Sequence, residues 1–168
     1  MAVDMFLFFN AADKIEGETQ DKVYAAKKGI DVLAWSWGMS QSGSFHTGGG
    51  GGAGKANFQD ISVTKWVDKA SPNLMFAVAQ GKNLTDATLV VRKAGTVPLE
   101  YIVITMTEVM VTSLSTGGSG GEDRLTENIS LNFAQVKFSY QQQKKDGTKE
   151  GGALDFTFDI ASNDKEAS

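Results

Sequence analysis

The residues with chemical potential are few, and each fails for want of a partner. Gly49-Gly-Gly-Gly-Ala-Gly54-Lys55 spells most of the phosphate-binding pattern G-x-x-x-x-G-K-[ST]. Ala56 stands where the pattern needs a hydroxyl for Mg²⁺, and a Ser/Gly-rich stretch precedes it where a strand is required. His46 is the only histidine. No acid lies near it in sequence to orient it as a base, so it reads as a solvated or interface residue. Glu122 and Asp123, followed by Arg124, lack the spacing of a Ca²⁺ loop and read as charges organised at a subunit contact. Trp35 and Trp37 offer either a stacking platform for a sugar or other ligand, or aromatic mass for a core; the second reading is favoured. Asn83-Leu-Thr85 and Asn128-Ile-Ser130 match the glycosylation pattern without any sign of a secretory route. No nucleophile, acid–base pair, cofactor loop or metal-ligand set emerges, and an enzyme is not expected.

The elements around these residues follow from periodicity. Asp31 to Ser44 alternates bulky Leu33, Trp35, Trp37 and Met39 with small Ala34, Ser36, Gly38, Ser40 and Ser42. A strand of that pattern buries one face and turns a small, uncharged face to something else. Further strands are expected at Val3 to Phe9, Asn57 to Trp66, Ala87 to Arg92, Leu99 to Leu114, Leu125 to Tyr140 and Leu154 to Ile160. The 99–114 strand, apolar on both parities, is expected to be buried on both faces. In the 125–140 strand the apolar parity changes from odd to even near Ala134-Gln135, which implies a β-bulge. The last strand alternates Leu154, Phe156, Phe158 and Ile160 with polar residues and should be half-buried. Asn10 to Gly29 reads as a long solvated loop. Ser71 to Gly81 is the one helix, with Ser71 as cap, Pro72 at the first helical position and Gly81 as stop. Seven strands and one short lateral helix make a mainly β chain, a compact β-barrel of two sheets in one domain spanning 1–168.

Composition narrows the class. The 168 residues carry a net charge of −4 and no dense basic cluster, which argues against nucleic acid. There are no cysteines, so disulfides and thiolate chemistry are excluded. No run approaches about 18 apolar residues, so no stable membrane insertion is expected, and the N-terminus lacks the form of a signal peptide.

Several segments together resemble the Hcp family, the tube protein of the bacterial type VI secretion system. They are Met1-Ala-Val-Asp-Met-Phe6, Ile30 through Ser44, Thr47 to Lys55, Ser71-Pro-Asn-Leu-Met75, and above all Ser115 through Asn128 continuing into Leu131-Asn-Phe-Ala-Gln135. The resemblance implies a β-barrel that assembles as a hexameric ring. Such rings stack into a hollow tube inside a contractile sheath seated on a baseplate, under a VgrG-type spike, and carry effector proteins. It implies a protein that is cytoplasmic before firing and then leaves through the apparatus without a cleaved signal. Within it, Ala34, Ser36, Gly38 and Ser40 are expected to line the lumen and contact effectors. His46, Gly49, Gly50, Gly51, Gly52, Gly118, Gly120, Glu122, Asp123 and Arg124 are expected at subunit interfaces or rims. The alternative reading is a small-ligand-binding β-barrel with the tryptophans in its pocket.

Overall fold

The computed structural model describes residues 2–46, 52 and 54–165. Nine strands and one α-helix follow in the order β1 (Val3–Phe9), β2 (Ile30–Ser36), β3 (Met39–Ser40), β4 (Asn57–Phe58), β5 (Ile61–Trp66), α1 (Ser71–Gln80), β6 (Leu84–Lys93), β7 (Leu99–Thr116), β8 (Thr126–Tyr140) and β9 (Leu154–Asp159). One sheet runs β5-β2-β1-β6-β7-β8-β9, and β5 also pairs with β8, which closes six strands into a barrel and leaves β9 on its flank. β3 and β4 form a separate two-stranded sheet. β8 serves two neighbours in turn: its first half pairs with β5, its second half with β9.

The barrel interior is filled. Leu7, Ile30, Ile61, Leu74, Leu89, Ile104, Met106, Val109, Ile129 and Leu131 are all fully buried in one cluster, with Trp35 and Trp37 packed against it. Closure of this kind removes most exposed strand edges and gives every inward side chain a partner. Trp35 and Trp37 are thus half-buried aromatic mass packed against that core.

Four expectations need correction. The alternating strand expected from Asp31 breaks after Ser36, and a register irregularity between Val32 and Ala34 leaves Leu33 exposed while Val32 and Trp35 turn in. Leu33 and Met39 are exposed, 37% and 47%, so they do not share the buried face with the tryptophans. The 10–29 segment is no solvated loop: Asp13, Ile15, Gly17, Thr19, Tyr24 and Gly29 are buried. Ser71 does not cap α1; Ala70 is the cap residue, and the Ser71 hydroxyl turns inward to donate to Glu127 Oε1 at 2.6 Å. β9 is less buried than its alternation suggests, with Leu154 66% exposed.

One expectation holds, whereas those of a β-bulge near Ala134-Gln135 and of a 99–114 strand buried on both faces do not. Gly81 ends α1 in the left-handed region at φ 58°, where a side chain would be strained. The parity change at Ala134-Gln135 is present, since Phe133 and Val136 are both buried, but it leaves the β7–β8 register intact. β7 makes the same change at Thr107-Glu108, where Glu108 takes φ 54°. The register shift itself falls between Val111 and Ser113. β7 is buried on one face at a time: Ile104 and Met106 on even parity, then Val109 and Val111 on odd.

Candidate functional site: a hydroxyl-lined sheet face

Four strands, in the order β2-β5-β8-β7, make one wall of the barrel. Their registers align the residues in rows across the wall. Trp35, Val63, Ile129 and Leu114 form a row on the core side, and Ile61, Leu131 and Val111 form another. Between them, on the opposite face, Ser36 pairs with Ser62, Ser62 with Ser130, and Ser130 with Ser113. The next outward row is Ala34, Thr64, Asn128 and Ser115. Side chains two residues apart on a strand share a face, so these eight small residues tile one continuous surface. All are exposed or half-exposed.

The surface is polar, and the eight residues of these two rows are uncharged. Thr64 donates its hydroxyl to Asn128 Oδ1 at 2.6 Å, a cross-strand pair that orders both side chains. At the lower margin, Asp60 accepts from the Thr112 hydroxyl at 2.6 Å and from Asn132 Nδ2 at 2.9 Å, so its carboxylate is committed within the wall. Such a face offers many weak hydrogen-bonding groups and no dominant charge. It cannot supply a nucleophile with a base or a cation site. Among the described residues no group of three or more His, Asp or Glu side chains is placed to hold a metal ion.

Two charges beside these rows, Lys65 and Glu127, lie on the core side. Lys65, Glu127 and Thr116 continue one register row, and the Lys65 and Glu127 side chains are fully buried. Lys65 Nζ pairs with Glu127 Oε1 and with Asp68 Oδ1 at 3.0 Å, and donates to the Trp66 carbonyl at 2.8 Å. Ser71 at the start of α1 completes the cluster. A buried pair of this kind stands because several hydrogen bonds offset its desolvation.

Of the four residues expected in the lumen, Ala34 and Ser36 lie in these rows. Ser40 is exposed but belongs to the β3–β4 sheet, and half-buried Gly38, whose carbonyl accepts from the Gln59 N–H at 2.9 Å, lies between the two sheets. Sequence reasoning missed Ser62, Thr64, Ser113, Ser115, Asn128 and Ser130. Their alternation was visible within each strand, but only the pairing register brings them together.

The residues expected at rims fall at opposite ends of β5. His46 is exposed in the turn after β3, and Gly52 and Ser44 exchange hydrogen bonds, 2.9 and 3.1 Å. Gly49, Gly50 and Gly51 lie outside the described residues. Gly118, Gly120, Glu122, Asp123 and Arg124 are exposed in the β7–β8 loop. Arg124 lies over the Trp66 ring at 4.5 Å, and the exposed Leu125 side chain packs against Gly118.

The outer face of β1 and β6 is finished differently. Phe6, Tyr24 and Val90 form a second small core there, with Phe8 and Val103 against it. Tyr24 stacks on Phe6 at 4.3 Å and donates its hydroxyl to Glu100. Burial, then that carboxylate, pushes the Tyr24 phenol far above its ordinary range. Arg92 binds Asp21 at 2.6 Å and Asp4 at 3.1 Å, and its hydrogen bond holds the Asp21 carboxyl below the usual range.

A family model described as "Type VI secretion system effector, Hcp" matches residues 7–140. The protein hcp1 of Pseudomonas aeruginosa strain PAO1 is 58% identical over 164 residues, covering 97% of this chain and 98% of that one. Among solved structures, one of a type six secretion system protein superposes with a TM-score of 0.89 at 30% identity, covering 98% of this chain and all of the other. Hcp1 from Salmonella typhimurium gives 0.78 at 35% identity over 99% of this chain and 100% of that one.

Proposed function

The chain belongs to the Hcp family of type VI secretion tube proteins, and on that premise we propose that its hydroxyl-lined wall is the lumen surface of a six-membered ring. The observation that carries the reading is the registered row Ser36–Ser62–Ser130–Ser113, small and neutral across the whole wall.

The edges of that wall support closure. β1 pairs with β2 only at Ile30 and Asp31, so the β2 edge is open from Val32 onward. β6 begins at Leu84 opposite Val109, so the β7 edge is open from Met110 to Thr116. The four strands alternate in direction, β2 against β5, β5 against β8, β8 against β7. With an even number of strands, rotation of one copy onto the next sets β2 antiparallel to the neighbour's β7. A head-to-tail contact that repeats by rotation closes into a ring, and each open backbone edge gains a partner.

In the ring every lumen residue is repeated six times. One lysine in these rows would become a belt of six charges, so uncharged rows are what a passage for unlike cargoes needs. Hydroxyl and amide groups keep the wall hydrated and give effector proteins weak, adaptable contacts. Rings stack through the loops at the two ends of β5, beneath a spike protein and inside a contractile sheath on its baseplate, and the protein leaves the cell with the tube. The function is that of a structural conduit and carrier, not of an enzyme.

Size-exclusion with light scattering tests the ring: the expected mass is near six times the 18.0 kDa of one chain, and negative-stain images should show hollow rings. A particle that stays monomeric at high concentration overturns the proposal. Ser36→Gln should leave the ring intact and lower the retention of a cargo effector; loss of rings would instead make Ser36 an assembly residue.

A further inference from the structure

α1 is apolar on two sides. Leu74 and Ala77 are buried in the core and Val78 is half-buried. Pro72, Met75, Phe76 and Ala79 recur at the i, i+3, i+4, i+7 spacing of a second stripe, and all four are exposed. Phe76 is 61% exposed and Met75 41%. No residue from Ser71 to Gln80 carries a charge. A surface helix normally turns a charged face to water, and a helix apolar all round is a covered helix.

The place of the helix indicates what covers it. Its N-terminal Ser71 is bound to Glu127, whose partner across the ladder is Thr116 at the end of β7. Its C-terminus leads through Gly81 to Leu84, which pairs with Val109. α1 packs on β7 and therefore runs beside the Val109–Thr116 half, the half that β6 leaves open. It stands on the core side of the wall, since Leu74 and Ala77 belong to the core cluster. At the other end of the same wall, the open β2 edge carries Leu33, 37% exposed, and half-buried Trp35 on the core side.

We propose that the outer stripe of α1, centred on Phe76 and Met75, is the second layer of the contact between copies: it reaches over the junction of β7 with the next copy's β2 and packs on Leu33 and Trp35 of that copy. This inference rests on the ring reading above and adds to it an apolar anchor behind the strand pairing. An aromatic in such a position, shielded from water by the strands in front of it, has the features of a binding hot spot, and methionine adapts its shape to the facing surface.

Photocrosslinking tests it. With p-benzoylphenylalanine in place of Phe76, irradiated rings should give a covalent ladder from dimer to hexamer, and the joined peptide should contain Leu33 and Trp35. Rings that remain intact by size-exclusion but yield no interchain product overturn the helix contact while sparing the ring. An unsubstituted chain that never exceeds monomer mass overturns both. Independently, Phe76→Ser should raise the concentration at which rings dissociate by about tenfold or more, with the far-ultraviolet spectrum and melting temperature of the isolated chain unchanged. Dissociation at the unsubstituted concentration contradicts the proposal.

Discussion

On the β2-β5-β8-β7 wall the outward side chains are serine, threonine, asparagine and alanine, and the ionised groups Lys65 and Glu127 are turned into the core. On the β1-β6 side the outward side chains are Phe6, Phe8, Val90 and Arg92, and the segment around Tyr24 is bound over them. The difference separates two demands. The bare wall presents a uniform surface, so its charge is buried and its outward groups are small. The covered wall has no such duty and uses its outer face for stability, with aromatic stacking and an arginine held between two carboxylates. One barrel thus carries two kinds of outer surface on one shared core.

The largest effect should come from the ion pair behind the bare wall. Lys65→Met alone strands Glu127 in the core and should cost about 3–5 kcal/mol in urea unfolding. Lys65→Met with Glu127→Leu should recover most of that loss. If the double variant is as unstable as the single one, the pair is more than a burial device for charge.

On the covered wall, Tyr24→Ala removes the stack on Phe6 and should cost about 3 kcal/mol. Tyr24→Phe keeps the stack, loses the bond to Glu100 and should cost about 1 kcal/mol. Equal losses for the two would show that the hydrogen bond, not the ring, holds the segment down.

Acid should act on the same wall. The Asp21 carboxyl is depressed, first by its hydrogen bond to Arg92, from an ordinary value of 3.8. Its contribution is therefore complete above that value and is lost as pH falls through the lower folded-state value. An acid titration of stability should show a fall below about pH 4 that is smaller in Asp21→Asn. A profile unchanged by Asp21→Asn would remove Asp21 from the contacts that hold the segment around Tyr24 over β1 and β6.

The smallest stability change belongs to the bare wall. Ser36→Gln should shift unfolding by no more than about 0.5 kcal/mol, because its side chain points out of the barrel. A loss comparable to that of Tyr24→Ala would mean the face is packed rather than bare.

The strands were legible wherever apolar residues alternate, and Gly81 marked the end of α1 by its own chemistry. Leu33 was misplaced because a one-residue irregularity after Val32 reverses the parity of everything beyond it, and nothing in Val-Leu-Ala announces it. Buried Tyr24 was invisible for another reason: its neighbours Lys22, Lys27 and Lys28 are those of a solvated loop, and its partners Phe6 and Glu100 are distant in sequence. Ser36 could be singled out on its own strand. The rest of its row, Ser62, Ser130 and Ser113, depends on three separate strand registers, which one chain read linearly does not reveal. The Hcp resemblance bridged that gap for the fold but not for these residues.

β9 holds to the barrel along one side only, through its ladder with β8 from Leu154 opposite Tyr140 to Asp159 opposite Gln135. A load applied to the chain beyond Asp164 would reach that ladder at the Gln135 end and open its hydrogen bonds one after another, as a zipper opens, rather than shearing them together. The six closed strands would feel little of that pull. Mechanically, the ladder is a fuse: a passenger tethered there and dragged against resistance would strip off β9 and leave the barrel standing.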